Sequence, residues 1–199
     1  RQRLQHCNRC RRTLHDHSQH QTGENTENGL VREACKDFHK CNENLQGGRN
    51  MCTAISYRSG NSHYMGRNLD LEYHYREEVA VTCRNYPFHF RNGCILEHHY
   101  AMIGMATIAN GYPLYYEATN ERGVSLAGLN FPKNAVYYPF NEDKDNISPF
   151  ELIPWILGQC ESVSKAETML KKLNLWNEPF SKEFPTSPLH WQKNLRKKT

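Results

Sequence analysis

Met51-Cys-Thr-Ala-Ile-Ser-Tyr57 is followed, after a Ser59-Gly-Asn-Ser62 turn, by His63-Tyr-Met-Gly66 and then Arg67-Asn-Leu-Asp70. The first run, from Cys52, reads as a strand, the Gly-Asn pair as a tight turn, and the second run as the returning strand of a hairpin. That hairpin carries a guanidinium (Arg67) and a carboxylate (Asp70) back toward Cys52. Downstream, Val79–Arg84, Tyr100–Ile108, Leu114–Ala118 and Val124–Asn130 read as strands, with turns at Asn110-Gly-Tyr-Pro113 and Asn120-Glu-Arg-Gly123. Two helices follow, each with a capping-box signature. In the first, Ser148 caps, Pro149 opens and Glu151 reaches back, with a kink expected at Pro154. In the second, Ser164 caps and Glu167 reaches back, with Ala166, Met169, Leu170 and Leu173 on one face. Strands followed by helices give an α+β class.

A cysteine directly after a methionine has a specific chemical meaning. Loss of Met51 leaves Cys52 with a thiol and a free α-amine, whose ordinary pKa values, ~8.5 and ~7.7–8.0, lie close together. The amine can accept the thiol's proton and later activate water against a thioester. Within a peptide bond the same nitrogen has no basicity. Arg67 would lower the thiol pKa by charge, and Asp70 would hold the amine. By itself Arg-Asn-Leu-Asp is a weak motif: a buried strand cysteine beside an exposed charged turn is the alternative reading.

Residues 1–50 hold nine Lys/Arg against six Asp/Glu, seven apolar residues other than cysteine, and five of the 11 histidines. No helical or strand period runs through them, so they read as a leader without a fold of its own. Cys7-x-x-Cys10 and Cys35-x5-Cys41 with His39 have the look of a zinc set, but the long gap and sparse apolar content argue against one. Gly47-Gly48 stand two residues before Met51, a spacing that suits a ribosome-binding sequence, so translation is expected to start at Met51. Residues 193–199 read as a basic tail. Between these ends the chain is mildly acidic, which gives no footprint for nucleic acid. No apolar run approaches the ~20 residues of a membrane span, and no secretory signal opens the chain. A cytoplasmic protein with free thiols, no metal site and no cofactor is the expectation.

Several segments together resemble the bile salt hydrolases of the choloylglycine hydrolase family. They are Met51-Cys-Thr-Ala-Ile-Ser-Tyr57, Gly66-Arg-Asn-Leu-Asp-Leu-Glu72, Asn120-Glu-Arg-Gly123, Ala127-Gly-Leu-Asn-Phe-Pro132, Pro154-Trp-Ile-Leu-Gly-Gln-Cys160 and Ser187-Pro-Leu-His-Trp191. The resemblance runs in order from Met51 to about Trp191, with domain bounds of 51–192. It implies an N-terminal-nucleophile αββα four-layer sandwich, present as its N-terminal half, a homotetramer for the complete protein, and a gut bacterial source. It implies hydrolysis of glycine- or taurine-conjugated bile salts. Cys52 would be the nucleophile, with Arg67 and Asp70 beside it and the Asn130 side chain donating to the oxyanion. Leu69, Ala109, Tyr116, Phe180, Phe184 and Leu189 would line an apolar cleft for the steroid, with the Phe180–Phe184 loop as a lid.

Family members are about twice as long as the matched part, so uncovered sheet edges and faces are expected. A penicillin V acylase is the nearest rival reading, and an inactive fragment or leader-borne metal module the rival from outside enzymology. N-terminal sequencing of the expressed protein is expected to begin at Cys52; a sequence beginning upstream of Met51 would remove the start assignment.

Overall fold

A computed structural model describes residues 52–60, 62–69 and 74–195, the last three by their backbone alone. All of them fall in the second of the two units into which the chain divides, Met51–Thr199. The leader reading, the candidate zinc cysteines, Met51 and Asp70 lie outside the described residues.

Strands β1 (Thr53–Ser59) and β2 (Ser62–Asn68) form the expected hairpin, in register from Thr53↔Asn68 to Ser59↔Ser62. Gly60 at φ 57° supplies the left-handed backbone that the turn requires. A five-stranded antiparallel sheet holds β3 (Glu77–Thr82), β6 (Met102–Ala109), β7 (Tyr112–Asn120), β8 (Val124–Asn130) and β11 (Leu189–Leu195), in the order β11-β8-β7-β6-β3. Short pairs complete the strands: β4 (Phe88–His89) with β5 (Ile95–Leu96), and β9 (Asp145–Ile147) with β10 (Leu173–Leu175).

The sheet has two unlike faces. Met102, Ala106, Ala118, Val124 and Leu126 point one way and bury against Leu152, Ile153, Ile156 and Leu157 of helix α1 (Leu152–Gln159), with Ala166 of α2 (Val163–Leu170). The opposite face carries Ala127 and Leu129, both buried, where β1 lies against β8. Further along that face Val79, Val81 and Ile103 are 64%, 47% and 45% exposed. Helices on one side, a sheet, and a hairpin on the other side give the α+β class.

Asn110 (φ 51°) and Gly111 (φ 79°) join β6 to β7 in a two-residue turn, the pairing that a type I′ hairpin favours. The Asn120-Glu-Arg-Gly123 turn does more than reverse the chain. The buried Asn120 amide donates to the carbonyls of Leu157 (2.8 Å) and Cys160 (2.7 Å), and accepts from the N–H groups of Arg122 (3.1 Å) and Val124 (3.0 Å). It thus satisfies the carbonyls at the end of α1, which would otherwise have no partner, and ties that helix to the sheet.

The structure corrects four expectations. The first helical segment opens as a 3₁₀ turn, Pro149–Glu151, before α1. Pro154 therefore falls in the first turn of α1, where no N–H is needed, and causes no break. The buried carboxylate of Glu151 accepts from Ser148 N–H (2.9 Å) as the capping box requires, and also from Arg91 N–H (2.6 Å). Burial pushes that carboxyl above its ordinary range, against the pull of those donors. The second helix is capped by Ser162, whose extended backbone lets its hydroxyl accept from Lys165 N–H (3.3 Å), not by Ser164. β3 spans Glu77–Thr82, so Cys83 and Arg84 lie just past it. β11 continues to Leu195, well into the supposed basic tail, because its backbone pairs with β8 as far as Val124.

Asn120→Ala would leave two carbonyls and two N–H groups without their partner. A loss of about 3 kcal/mol in unfolding free energy is expected, read from the urea midpoint; a change under about 1 kcal/mol would contradict the account.

Candidate active site

Strand register builds the site. Pairing of Thr53 with Asn68 places Cys52, one step further, opposite Leu69, and Ala54 is paired with Arg67. Partners across a ladder share a face, so Cys52, Ala54, Arg67 and Leu69 stand on one side of the hairpin. Cys52 and Arg67 are diagonal neighbours, a relation that spans about 7 Å between residues. That side is turned to the sheet, because Arg67 Nη1 reaches the Tyr116 carbonyl (3.2 Å) and Glu117 Oε2 (3.2 Å) on β7.

The two charged side chains are 5% and 23% exposed, so the guanidinium is nearly removed from water. Burial pushes the Glu117 carboxyl up while the Arg67 charge and hydrogen bond pull it down. Tyr116 stands at an irregularity: Met105 pairs with Glu117 but Ala106 with Tyr115, so β7 carries one extra residue. The Tyr116 hydroxyl meets Thr107 Oγ1 at 2.9 Å, and burial raises its pKa.

Asn130 ends β8 opposite Leu189. Phe131 N–H donates to Pro188 O (2.7 Å), which makes the next pair, Asn130 and Leu189, one that does not exchange main-chain bonds. The main-chain N–H of Asn130 therefore points away from β11. On that side the β7–β8 pairing has already ended, at Glu117↔Ala127. Alternation along β8 puts the Asn130 side chain with Gly128 and Trp191, opposite to Leu129, which faces the hairpin. Its Oδ1 is buried and has no hydrogen-bond partner among the described residues.

The residues expected to line a steroid cleft fall into three groups. Leu69 is beside Cys52, and Leu189 is beside Asn130 with its N–H on the Tyr137 hydroxyl (2.9 Å). Tyr116 is at the bulge. Ala109, Phe180 and Phe184 form the third group: Ala109 ends β6 opposite Tyr112, and the Tyr112 ring packs on Phe180 at 5.8 Å. Phe184 connects this group to Tyr116, since its ring meets Tyr75 at 6.4 Å and the Tyr75 carbonyl accepts from the Thr107 hydroxyl that Tyr116 also meets. Phe180 also meets Phe150 (5.2 Å) and Phe184 (6.1 Å), and the Arg91 guanidinium lies 5.7 Å over its ring. These contacts pack the loop against the β6–β7 end of the sheet. Phe180 lines a recess of ≈ 290 Å³ with His89, Arg91, Asn110, Tyr112 and Phe150. A larger recess of ≈ 520 Å³ runs from Tyr138 to Lys144 and against Leu170–Leu175. Neither is lined by Cys52, Arg67 or Asn130.

Glu117 escaped the sequence reading. The available signal was a lone carboxylate in an otherwise apolar or aromatic run, Leu114-Tyr-Tyr-Glu-Ala118. Cys94, exposed, and Cys160, buried, are free thiols. Cys160 is buried against Met169 (Sγ to Sδ 3.4 Å), and burial pushes its thiol to about 11. No described residues cluster as a metal site, and no helix among them is long and apolar enough to cross a membrane.

The family model for linear amide C–N hydrolases, choloylglycine hydrolase family, matches residues 52–196. That match reaches past Gln192, as β11 does. A Lactiplantibacillus plantarum protein named bile salt hydrolase/transferase is 53% identical over 141 residues, 71% of this chain and 43% of the relative. A conjugated bile acid hydrolase of Lactobacillus gasseri is 37% identical over 143 residues, 71% of this chain and 45% of its own length. This chain thus spans less than half the length of these relatives. A crystal structure of a conjugated bile acid hydrolase variant from Clostridium perfringens superposes with TM-score 0.67 at 31% identity, over 72% of this chain and 44% of that one. Penicillin V acylase from Agrobacterium tumefaciens, 15% identical with TM-score 0.57 over 72% of this chain and 43% of that one, shares the fold.

The thiols separate by environment. With a pKa of about 11, only roughly a thousandth of Cys160 is thiolate at pH 8. Peptide mapping after iodoacetamide treatment is expected to find exposed Cys94 modified and Cys160 protected until the protein is unfolded. Early modification of Cys160 would contradict its placement.

Proposed function

The chain belongs to the choloylglycine hydrolase family of linear amide C–N hydrolases, and on that premise we propose that the complete protein hydrolyses the amide joining a bile acid to glycine or taurine. The observation that carries the reading is that the family match opens on Cys52, the residue whose chemistry the sequence singles out.

In this reading the thiolate of Cys52 attacks the amide carbonyl. The α-amine of the same residue takes the thiol proton and delivers it to the leaving nitrogen of glycine or taurine. Arg67, diagonal to Cys52, favours the thiolate by charge, and Asp70 holds the amine. Asn130 supplies a donor to the tetrahedral oxyanion. Its main-chain N–H is the better aimed, since its side chain alternates to the other side of β8. Water, activated by the amine, then releases the bile acid from the thioester; an amine in place of water would give acyl transfer.

Leu69, Tyr116 and Leu189 supply apolar surface near the reacting groups. Ala109, Phe180 and Phe184 extend that surface toward the β6–β7 turn, with Phe184 joined to Tyr116 through Tyr75 and Thr107. A cytoplasmic homotetramer in a gut bacterium goes with the same reading and rests on the family resemblance. The full-length protein beginning at Cys52 is expected to release glycine or taurine from conjugated bile salts faster than phenoxyacetate from penicillin V. Cys52→Ala should reduce release to background. One extra residue before Cys52 should cost at least ~10²-fold, the contribution of a positioned general base. Undiminished turnover with that extra residue would overturn the amine's role.

A further inference from the structure

The Arg67 guanidinium is held in an unusual way. Nη1 is shared between two acceptors on successive residues of β7, the Tyr116 carbonyl and Glu117 Oε2, both at 3.2 Å. Nε donates to the carbonyl of Asn68 at 3.3 Å. Nη2 has no hydrogen bond among the described residues, although the side chain is only 5% exposed. Two nitrogens fix the plane of the group and the third is left for another partner.

The acceptors owe their placement to the extra residue in β7. Because the register steps between Met105↔Glu117 and Ala106↔Tyr115, Tyr116 falls out of the ladder and its carbonyl can turn toward the hairpin. Gly104 makes room for this: a Cβ there would stand 1.9 Å from the Glu117 carbonyl oxygen. Bulges of this kind re-aim side chains beside active sites. An ion pair taken this far out of water contributes little net stability, since its desolvation offsets its attraction. A role in geometry explains its presence better than a role in stability.

We infer that Glu117 is a positioning residue, which holds the Arg67 guanidinium against the sheet so that Nη2 faces the side of the hairpin on which Cys52 stands. The inference rests on the hydrolase reading above. Glu117 touches neither substrate nor reacting atoms; it acts through Arg67.

The test compares Glu117→Ala, Glu117→Gln and Glu117→Asp in the full-length protein. Glu117→Ala is expected to lower kcat at least ~10-fold while KM changes less than ~3-fold, the pattern of a lost transition-state interaction. Glu117→Gln, which keeps one acceptor but not the charge, should fall between, and Glu117→Asp should recover part of the loss. In an Arg67→Leu background, Glu117→Ala should cost less than ~2-fold more, because the pair acts as a unit. Iodoacetamide alkylation of Cys52 without substrate should slow several-fold in Glu117→Ala and be indifferent to it in the Arg67→Leu background. Should Glu117→Ala fail to fold, Glu117→Gln carries the same cycle. Wild-type kcat and alkylation in a folded Glu117→Gln variant, or equal losses in both backgrounds, would overturn the inference. If the wild-type protein releases neither glycine nor taurine, the hydrolase reading fails, and the alkylation series still decides the positioning role.

Discussion

One buried cation sets the placement of everything around the candidate site. Arg67 leaves the hairpin, enters the space over β7 and finds its partners there, with 5% of its side chain exposed. A guanidinium in that position must be paired or it costs several kcal/mol. The hairpin is therefore held to the part of the sheet where Tyr116 and Glu117 offer acceptors. That docking also places β1 against β8, over the buried Ala127 and Leu129. The hydrophobic contact alone is non-directional and would tolerate sliding; the guanidinium, with its fixed donor directions, does not. Cys52 inherits its position from this, being the residue just before β1 on the sheet-facing side.

The two faces of the sheet divide the work. On the helix side, packing is continuous from Met102 to Val124 and is closed off by Asn120, which couples the β7–β8 turn to the end of α1. On the hairpin side, cover stops partway, and Val79, Val81 and Ile103 meet solvent. Grouped apolar exposure on a sheet face is a feature of surfaces that another element covers. The sheet face therefore grades from a well-packed end, where the candidate chemistry lies, to an open one. The aromatic cluster of Tyr112, Phe150, Phe180 and Phe184 closes the β6–β7 end independently, with Arg91 over two of its rings.

What the sequence made legible was local. The hairpin, the Asn-Gly turn, the bounds of β8 and the α+β order each follow from a few adjacent residues with their own preference for that conformation. Where two local signals competed, the chain itself could not arbitrate. Ser162 and Ser164 both stand at the start of the second helix, and only the extended backbone at Ser162 makes it the cap. Pro154 reads as a kink until the helix start is known to lie just before it. The bulge at Tyr116 had no local signal, because it arises from a mismatch between two strands and the space at Gly104. Without the bulge, Glu117 reads as one exposed charge of a half-solvated strand. The direction of the Asn130 main-chain N–H had no local signal either; it depends on the pairing phase with β11.

The same point distinguishes Cys52 from the other described thiols. Cys160 is the C-cap of α1, buried against Met169, and its surroundings oppose ionisation. Cys94 lies in the turn before β5, exposed. Cysteine as a residue type therefore carries no prediction of chemistry here. What singles out Cys52 is that one short segment places a thiol, an α-nitrogen and a diagonal guanidinium together, and that two of these three belong to the same residue. The third is fixed from across the sheet by Glu117, so the geometry is set by tertiary structure. The nitrogen is different: no packing can give it basicity while it remains an amide. Folding can bring thiol and guanidinium together, but only the covalent state of the residue 51–52 bond decides whether Cys52 carries a basic amine.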